Sequence, residues 1–371
     1  MEVVMNYNDI KYAIRNFCFE GKYCDCFELK SGNINSTCVL IYNDAERTHK
    51  YVLQRINHSV FKNMEGLMSN ISKVVEHIGS KLDKNDPEYE RKFLNFVKTK
   101  DGSYLYSDDC GHFWRAYIYV ENTTAHDSII DDPSLFYEAG KGFGAFQRAL
   151  ADFPADELVE IIPNFHNTKA RFFDFVAAVA KDSAGRVSEL EEEIDFFFER
   201  RKMMSKIVDM IDEGKIPMRV THNDTKINNI LIDNETRKAM CVIDLDTVMP
   251  GSVLYDFGDA IRFGASTAAE DEPDTSKVTL DMELFKLFTK GFLEDTSDIF
   301  DKREIKYLPL GVKIMTCELA MRFLTDYING DVYFKTRYPE HNLVRARAQM
   351  KLLLEIEAKY DEMIEFVNSL V

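Results

Sequence analysis

The sequence predicts an α+β chain in two parts, a small antiparallel β-sheet at the amino end and a larger, mainly helical part after it. Three observations carry this expectation. The first third alternates short apolar runs with turn residues, one amphipathic stretch follows the third run, and beyond about residue 120 the apolar spacing changes from alternation to intervals of three and four.

The strands come first. In "CFELKSGNINSTCVLIYNDAERTHKYVLQRIN" an apolar run at Phe27–Leu29, a Gly/Asn/Ser turn, a second run at Cys38–Tyr42, a polar hairpin and a third run at Tyr51–Ile56 spell three antiparallel strands in a row. Met64, Leu67, Met68, Ile71, Val74, Val75 and Ile78 then share one helical face. "RKFLNFVKTKDGSYLYSDDCGHFWRAYIYVENT" supplies two or three further strands turned by "DG" and "DDCGH", so residues 1–120 form a five-stranded sheet with one helix. Residues 121–371 read as helices. The first opens on Asp132 and Pro133 and carries Leu135, Phe136, Ala139, Phe143 and Phe146. Others fall on "FDFVAAVAKD", "SELEEEIDFFFERRKMMSKIVDMIDEG", "TLDMELFKLFTKGFLED" and "PLGVKIMTCELAMRFLTDYING", and a single long closing helix aligns Leu353, Ile356, Tyr360, Met363, Ile364 and Val367. Only "RVTHND", "NNILID" and "AMCVIDL" interrupt them with short strands.

With 371 residues, 45% of them apolar and 29% charged, the chain is long enough to bury a substantial site. Forty-six Lys and Arg against 63 Asp and Glu leave a formal charge of −17, which argues against a nucleic-acid partner and for small molecules. The amino terminus lacks a basic stretch with a long apolar core, and no uncharged run reaches spanning length, so a cytoplasmic protein without membrane association is expected, as a monomer. Seven scattered cysteines without paired CxxC spacing are expected to be reduced thiols, and Cys24 and Cys26 have no His nearby to complete a metal site.

The chemistry concentrates in "THNDTKINNILID" and "CVIDLDTVMPGSVLYDFGD". Phosphoryl transfer to an alcohol needs a carboxylate to take the hydroxyl proton and oxygen ligands for a divalent metal. His222, Asp224 and Asn229 have the spacing H-x-D-x-x-x-x-N, and Asp244 follows an apolar strand, with "DLD" where a protein kinase has DFG. Asp224 is then the candidate base, Asn229 and Asp244 the candidate metal ligands, and His222 an orienting residue. An Asn/Asp-rich turn joining two strands of a hairpin would explain the same composition more simply. For the phosphates, "SGNINSTC" offers Gly32, Asn33, Asn35, Ser36 and Thr37, without a G-x-G-x-x-G pattern. The third strand has Gln54 and Arg55 in place of a lysine, and only one of them can face the cleft. No G-x-S-x-G, HExxH or Cys–His pairing points to another chemistry.

These motifs, with "PGSVLYDFGD" after them, resemble the aminoglycoside phosphotransferase and choline kinase superfamily, whose fold is bilobal and protein-kinase-like. "RVTHNDTKINNILID", "VIDLDTVMPGSVLYDFGDAIRFGAST", "MRFLTDYINGDVYF" and "YPEHNLVRARAQMKLL" are similar to N-acetylhexosamine 1-kinases over nearly the whole chain. The resemblance implies ATP as phosphoryl donor, Mg2+ as cofactor and the anomeric hydroxyl of N-acetylglucosamine or N-acetylgalactosamine as acceptor. It implies that Asp256 braces the catalytic loop, that Asp259 caps the following helix, and that Asp246, Thr247, Arg322 and Tyr333 contact the sugar. Adenine would lie on the hinge at Tyr119, Val120 and Glu121. Two alternatives remain, a kinase of this fold acting on another hexose, an amino alcohol or an aminoglycoside, and a kinase-like binding protein without activity.

Overall fold

The computed structural model describes residues 7–29, 35–58, 60–129 and 131–371. After a short helix α1 (Tyr7–Ala13), strands β1 (Lys22–Leu29), β2 (Ser36–Asn43), β3 (Thr48–Ile56), β4 (Tyr106–Ser107) and β5 (Phe113–Ile118) form one antiparallel sheet in the order β1-β2-β3-β5-β4. Helix α2 (Met64–Lys81) follows β3. The Asn63 side chain accepts the Gly66 N–H at its start, and Leu67, Met68, Ile71, Val74 and Val75 are buried, as their spacing requires. Strand alternation splits the sheet into two faces. Leu40, Leu53, Trp114 and Ala116 pack on one. Thr37, Gln54 and Arg115 stand in cross-strand register on the other, where Arg115 Nη1 lies 4.0 Å from Met68 Sδ of α2.

The remaining chain is helical with two small strand insertions. Strand β6 (Thr123–Ala125) precedes helices α3 (Ser134–Ala149), α4 (Thr168–Lys181), α5 (Glu191–Met204) and α6 (Lys206–Asp212). Strands β7 (Arg219–Thr221), β8 (Ile230–Asp233), β9 (Ala239–Val242) and β10 (Met249–Gly251) follow, then helices α7 (Val253–Gly264), α8 (Met282–Glu294), α9 (Lys302–Ile328), α10 (His341–Ala358) and α11 (Tyr360–Asn368). β7 pairs with β10, while β6, β8 and β9 make a three-stranded sheet. The small antiparallel sheet and the helical lobe are the architecture the sequence predicts.

Several boundaries differ from expectation. The single closing helix is two, α10 and α11, parted at Lys359, and the acidic helix before β7 is likewise parted at Ser205 into α5 and α6. Apolar spacing continues across both breaks, which is why periodicity alone does not reveal them. The helix expected from Pro309 starts at Lys302, because Asp301 and Glu304 form a capping box and Pro309 is accommodated inside the helix. β6 and β10, three residues each, are too short to carry an alternation signal.

One helix crossing matters for the site. Helices α7 and α9 meet at Gly258 and Gly311, where a Cβ on Gly311 would stand 2.1 Å from the Leu254 carbonyl oxygen and one on Gly258 2.4 Å from that of Gly311. Backbone cannot yield as a flexible side chain does, so only glycine permits this approach. We expect Gly311→Ala to lower the free energy of unfolding by about 2 kcal/mol or more, as overpacking does. Urea denaturation checks this, and a change within about 0.5 kcal/mol, the usual range for a neutral surface substitution, would show that the helices separate without cost.

Candidate active site

Residues 222–229 connect β7 to β8, strands of different sheets, so this stretch is an inter-sheet loop and not the hairpin turn its composition allows. Its shape is set from below by Asp256, in the first turn of α7. The carboxylate accepts the N–H groups of His222 at 2.9 Å and Asn223 at 2.7 Å and the side-chain amide of Gln147 at 2.9 Å. Thr225 Oγ1 donates to the Asp256 carbonyl at 2.5 Å. Burial pushes the Asp256 carboxyl above its ordinary value, while the nearby His222 ring and the two loop amides pull the other way. Asn223 takes a left-handed φ of 64°, a conformation asparagine tolerates well.

His222 is fully buried with its edge against Phe143 and Phe146. Its Nε2–H donates to the Ile243 carbonyl at 2.9 Å, and Nδ1 accepts from the Asp224 N–H at 3.3 Å, so the ring orients the loop without meeting substrate. Thr247 Oγ1 donates to the His222 carbonyl at 2.7 Å, and Asn223 Nδ2 to that of Thr247 at 2.9 Å. Loop and acid turn are thus stitched together. Asp224 is half-buried. Lys226 Nζ reaches its Oδ1 at 2.7 Å, and Asn229 Nδ2 donates to its Oδ2 at 3.0 Å and to its carbonyl at 2.8 Å. Lys226 belongs to the site and lies within the quoted motif, where only its position two residues after the acid marked it.

Asp244 has a left-handed φ of 59° and lies two residues past the end of β9. Desolvation by the surrounding protein, joined by the charges of Asp246 and Asp224, pushes its carboxyl up to about 7, with Arg115 and Lys226 opposing. Asp244 is itself exposed, and beside an Asn229 amide whose nitrogen is engaged by Asp224 it completes a hard oxygen donor set that fits a divalent cation. Among the described residues, a cluster of three metal-type side chains occurs elsewhere, at Asp108, Cys110 and His112 in the β4–β5 turn, where Asp108 is committed to His112, Trp114 and backbone N–H groups.

Asp259 does not cap α7. Ser252 does, accepting the Leu254 N–H, and Asp259 lies inside the helix, buried and paired with Arg262 at 2.9 Å. Burial would raise its carboxyl, but Arg262 and Lys226 hold it below the ordinary range.

On the sheet side, Gly32 and Asn33 lie outside the described residues. Asn35 Nδ2 donates to Asp246 Oδ2 at 2.6 Å, and its Oδ1 accepts the Asn57 N–H at 3.0 Å. Ser36 and Thr37 open β2. Gln54 shares the cleft face with Thr37, which it reaches at 3.2 Å, whereas Arg55 points to the opposite face, over Trp114 and toward Asp9. The cation that β3 lacks comes from β5. Arg115, missed in the sequence because nothing local marks it, donates Nε to Gln54 Oε1 at 2.9 Å and Nη1 to Asp246 Oδ1. Both oxygens of the buried Asp246 are therefore engaged by the sheet. At the crossover after β5, the Tyr119 N–H donates to Lys50 O at 3.0 Å, Val120 is buried with its carbonyl accepting from Thr123 Oγ1 at 2.8 Å, and Glu121 pairs with Lys50 at 3.3 Å.

Arg322 and Tyr333 line one cavity of about 400 Å³ between α4 and the carboxyl end of α9, together with Arg171, Asp326 and Phe334. A second cavity, of about 180 Å³, lies along the β7–β10 ribbon and includes Asn223, His166 and Tyr255. The structure brings Asp224, Asn229, Asp244, Asp246 and Thr247 together. Arg322 and Tyr333 reach them only indirectly, since the Arg322 guanidinium stacks over Phe165, which lines the second cavity beside Asn223.

Two outcomes are expected. Arg115→Met, which strands the buried Asp246 charge, should cost about 3 kcal/mol in chemical denaturation, and adding Asp246→Leu should recover most of it; equal losses in both variants would show that the pair is not coupled. Asp244, raised in the folded state, holds a proton that the unfolded chain releases between its ordinary value of 3.8 and about 7. Its contribution to stability is thus present at acid pH and lost as pH rises through about 7. A cation must displace that proton, so Mg2+ should raise the melting temperature more at about pH 8 than at about pH 6, and Asp244→Asn should abolish the difference.

Comparison with solved structures returns proteins that share this fold along their whole length. An aminoglycoside phosphotransferase from Alicyclobacillus acidocaldarius superposes with a TM-score of 0.61 at 11% identity, covering 100% of this chain and 98% of its own. A spectinomycin phosphotransferase solved with ADP and spectinomycin gives 0.57 at 12% identity over 97% of this chain and 100% of its own. A choline kinase from Cryptosporidium parvum gives 0.57 at 15% identity over 98% and 99%. Residues 28–278, which run from the end of β1 to just before α8 and contain the whole acid constellation, match the profile of the phosphotransferase enzyme family. A loop braced by Asp256, an acid turn stitched to it and a family match across both lead to one conclusion, that the chain belongs to the phosphotransferase enzyme family.

Proposed function

We propose that the protein transfers the terminal phosphoryl group of ATP to the anomeric hydroxyl of an N-acetylhexosamine. The observation that carries the reading is the convergence of Asp224, Asn229 and Asp244 on one stitched loop and turn. The chain divides near residue 120, with the nucleotide against the sheet, Asn35 to Thr37 and Gln54 toward its phosphates, and the acceptor in the helical part. Asp224 takes the proton of the attacking hydroxyl, and Asn229 fixes the carboxylate that receives it. Held by Asp244 and Asn229, Mg2+ would neutralise negative charge on the transferring phosphoryl oxygens. Lys226 pairs with the other carboxylate oxygen of Asp224 at 2.7 Å.

A sugar suits the first cavity better than a polycation does. Arg171, Arg322 and Lys181 face Asp174 and Asp326, and Asp326 is already committed to the N–H groups of Val332, Tyr333 and Phe334 and to Asn342. The net positive wall would repel an aminoglycoside. A small amino alcohol is the second reading, favoured by Glu160 and Asp212, which line the second cavity without a lysine or arginine among its lining residues.

We expect Asp224→Asn to lower turnover about a thousandfold while nucleotide affinity stays within a factor of about two. Phosphorus NMR of the product from N-acetylglucosamine and ATP identifies the position of transfer: a 1-phosphate supports the assignment, and a 6-phosphate, or turnover of choline alone, removes it.

A further inference from the structure

We propose that His166 is an acceptor-recognition residue, whose Nε2 accepts a hydrogen bond from a ring hydroxyl of a neutral polyhydroxylated acceptor. This deepens the reading above, in that the acceptor lies beside Asp224.

His166 immediately precedes Asn167, the cap of α4, and its ring is 8% exposed. Nδ1 lies 3.2 Å from both carboxylate oxygens of Glu318 on α9. Glu318 is fully buried, which would raise its carboxyl, yet His166, Arg322 and Arg171 hold it below the ordinary range. The carboxylate accepts from Nδ1–H, and in the neutral ring this leaves Nε2 with a lone pair. Nε2 is buried and has no partner in the protein. A buried polar atom in that state costs free energy unless something meets it, and the atom belongs to a side chain lining the second cavity. Asn223, adjacent in sequence to Asp224, lines the same cavity.

Glu318 also pairs with Arg322 at 3.7 Å, and Arg322 lines the first cavity with Tyr333. One carboxylate therefore contacts a residue lining each cavity, His166 in one and Arg322 in the other. The two cavities are the two halves of a single acceptor site. The half next to Asn223 seats the reacting ring, and the half at Arg322 and Tyr333 receives its substituents. A ring whose hydroxyls can donate matches the lone pair of Nε2, whereas a quaternary ammonium has no N–H to offer it.

The test uses the full-length protein with N-acetylglucosamine and its 3-, 4- and 6-deoxy analogues. The wild-type protein should lose about tenfold or more in kcat/KM on one analogue, because the deoxy compound leaves Nε2 unmet. His166→Phe should lose about as much on the parent sugar and no more on that analogue. His166→Gln, whose amide oxygen can accept the same hydroxyl, should recover part. The KM for ATP and acceptor-free ATP hydrolysis should stay unchanged in both variants. Unchanged acceptor KM and discrimination in His166→Phe, or a parallel loss of ATP and acceptor affinity, would overturn the proposal. If the wild-type protein ignores N-acetylhexosamines and phosphorylates galactose or choline, the sugar assignment falls by itself. On galactose, a raised acceptor KM in His166→Phe with ATP KM intact sustains the role of His166 and an unchanged one ends it, while turnover of choline alone ends it as well.

Discussion

The arrangement rests on one carboxylate that meets no substrate. Asp256 accepts the consecutive N–H groups of His222 and Asn223 and a side-chain amide from α3, so three elements converge on two oxygens. Consecutive amides pointing the same way require an irregular backbone, and Asn223 supplies it with its left-handed φ. Without that acceptor, two buried donors would be left unmet and the loop would have no reason to hold its shape. Every feature above it inherits this geometry: the orienting ring of His222, the position of Asp224, and through Thr247 the turn that carries Asp244 and Asp246.

Above the brace, the charges are arranged so that no acid stands alone. Asp224 has Lys226, Asp246 has Arg115, and Asp259 has Arg262, each paired within the protein. Asp244 is the exception. Desolvation by the surrounding protein and two neighbouring acids push its carboxyl up to about 7, a state that a nearby cation would reverse. The Arg115–Asp246 pair also spans from β5 of the sheet to the turn after β9, so the same contact that balances charge ties the two parts of the fold together.

Much of this was legible in the sequence, for identifiable reasons. The amphipathic face of α2, the alternation of β2 and β3 and the spacing of His222, Asp224 and Asn229 are local patterns, and local patterns survive in a single chain read alone. The metal-type acid at Asp244 was marked by the apolar strand before "DLD", and the brace at Asp256 was reached through resemblance. What local reading missed is non-local. Arg115 matters because β3 and β5 pair in a register that sets it opposite Gln54, and His166 because α9 brings Glu318 across more than a hundred residues of chain. The cap that the resemblance implied for Asp259 falls instead to Ser252, because Asp259 lies inside α7 with its partner Arg262 one turn further along. The breaks at Ser205 and Lys359 left the apolar period intact and so gave no warning.

Helix α9 contacts residues of both cavities. Gly311 presses against α7, whose Asp256 braces the loop, and about two and three turns later the same rod carries Glu318, which pairs with His166, and Arg322, which lines the first cavity. On the function proposed above, chemistry and selectivity fall on separate stretches of a single element. Natural variation could rewrite the distal stretch and exchange one alcohol for another while the crossing at the glycines keeps the reacting carboxylate where it was. A division of this kind lets a lineage diversify its substrates without reinventing its reaction.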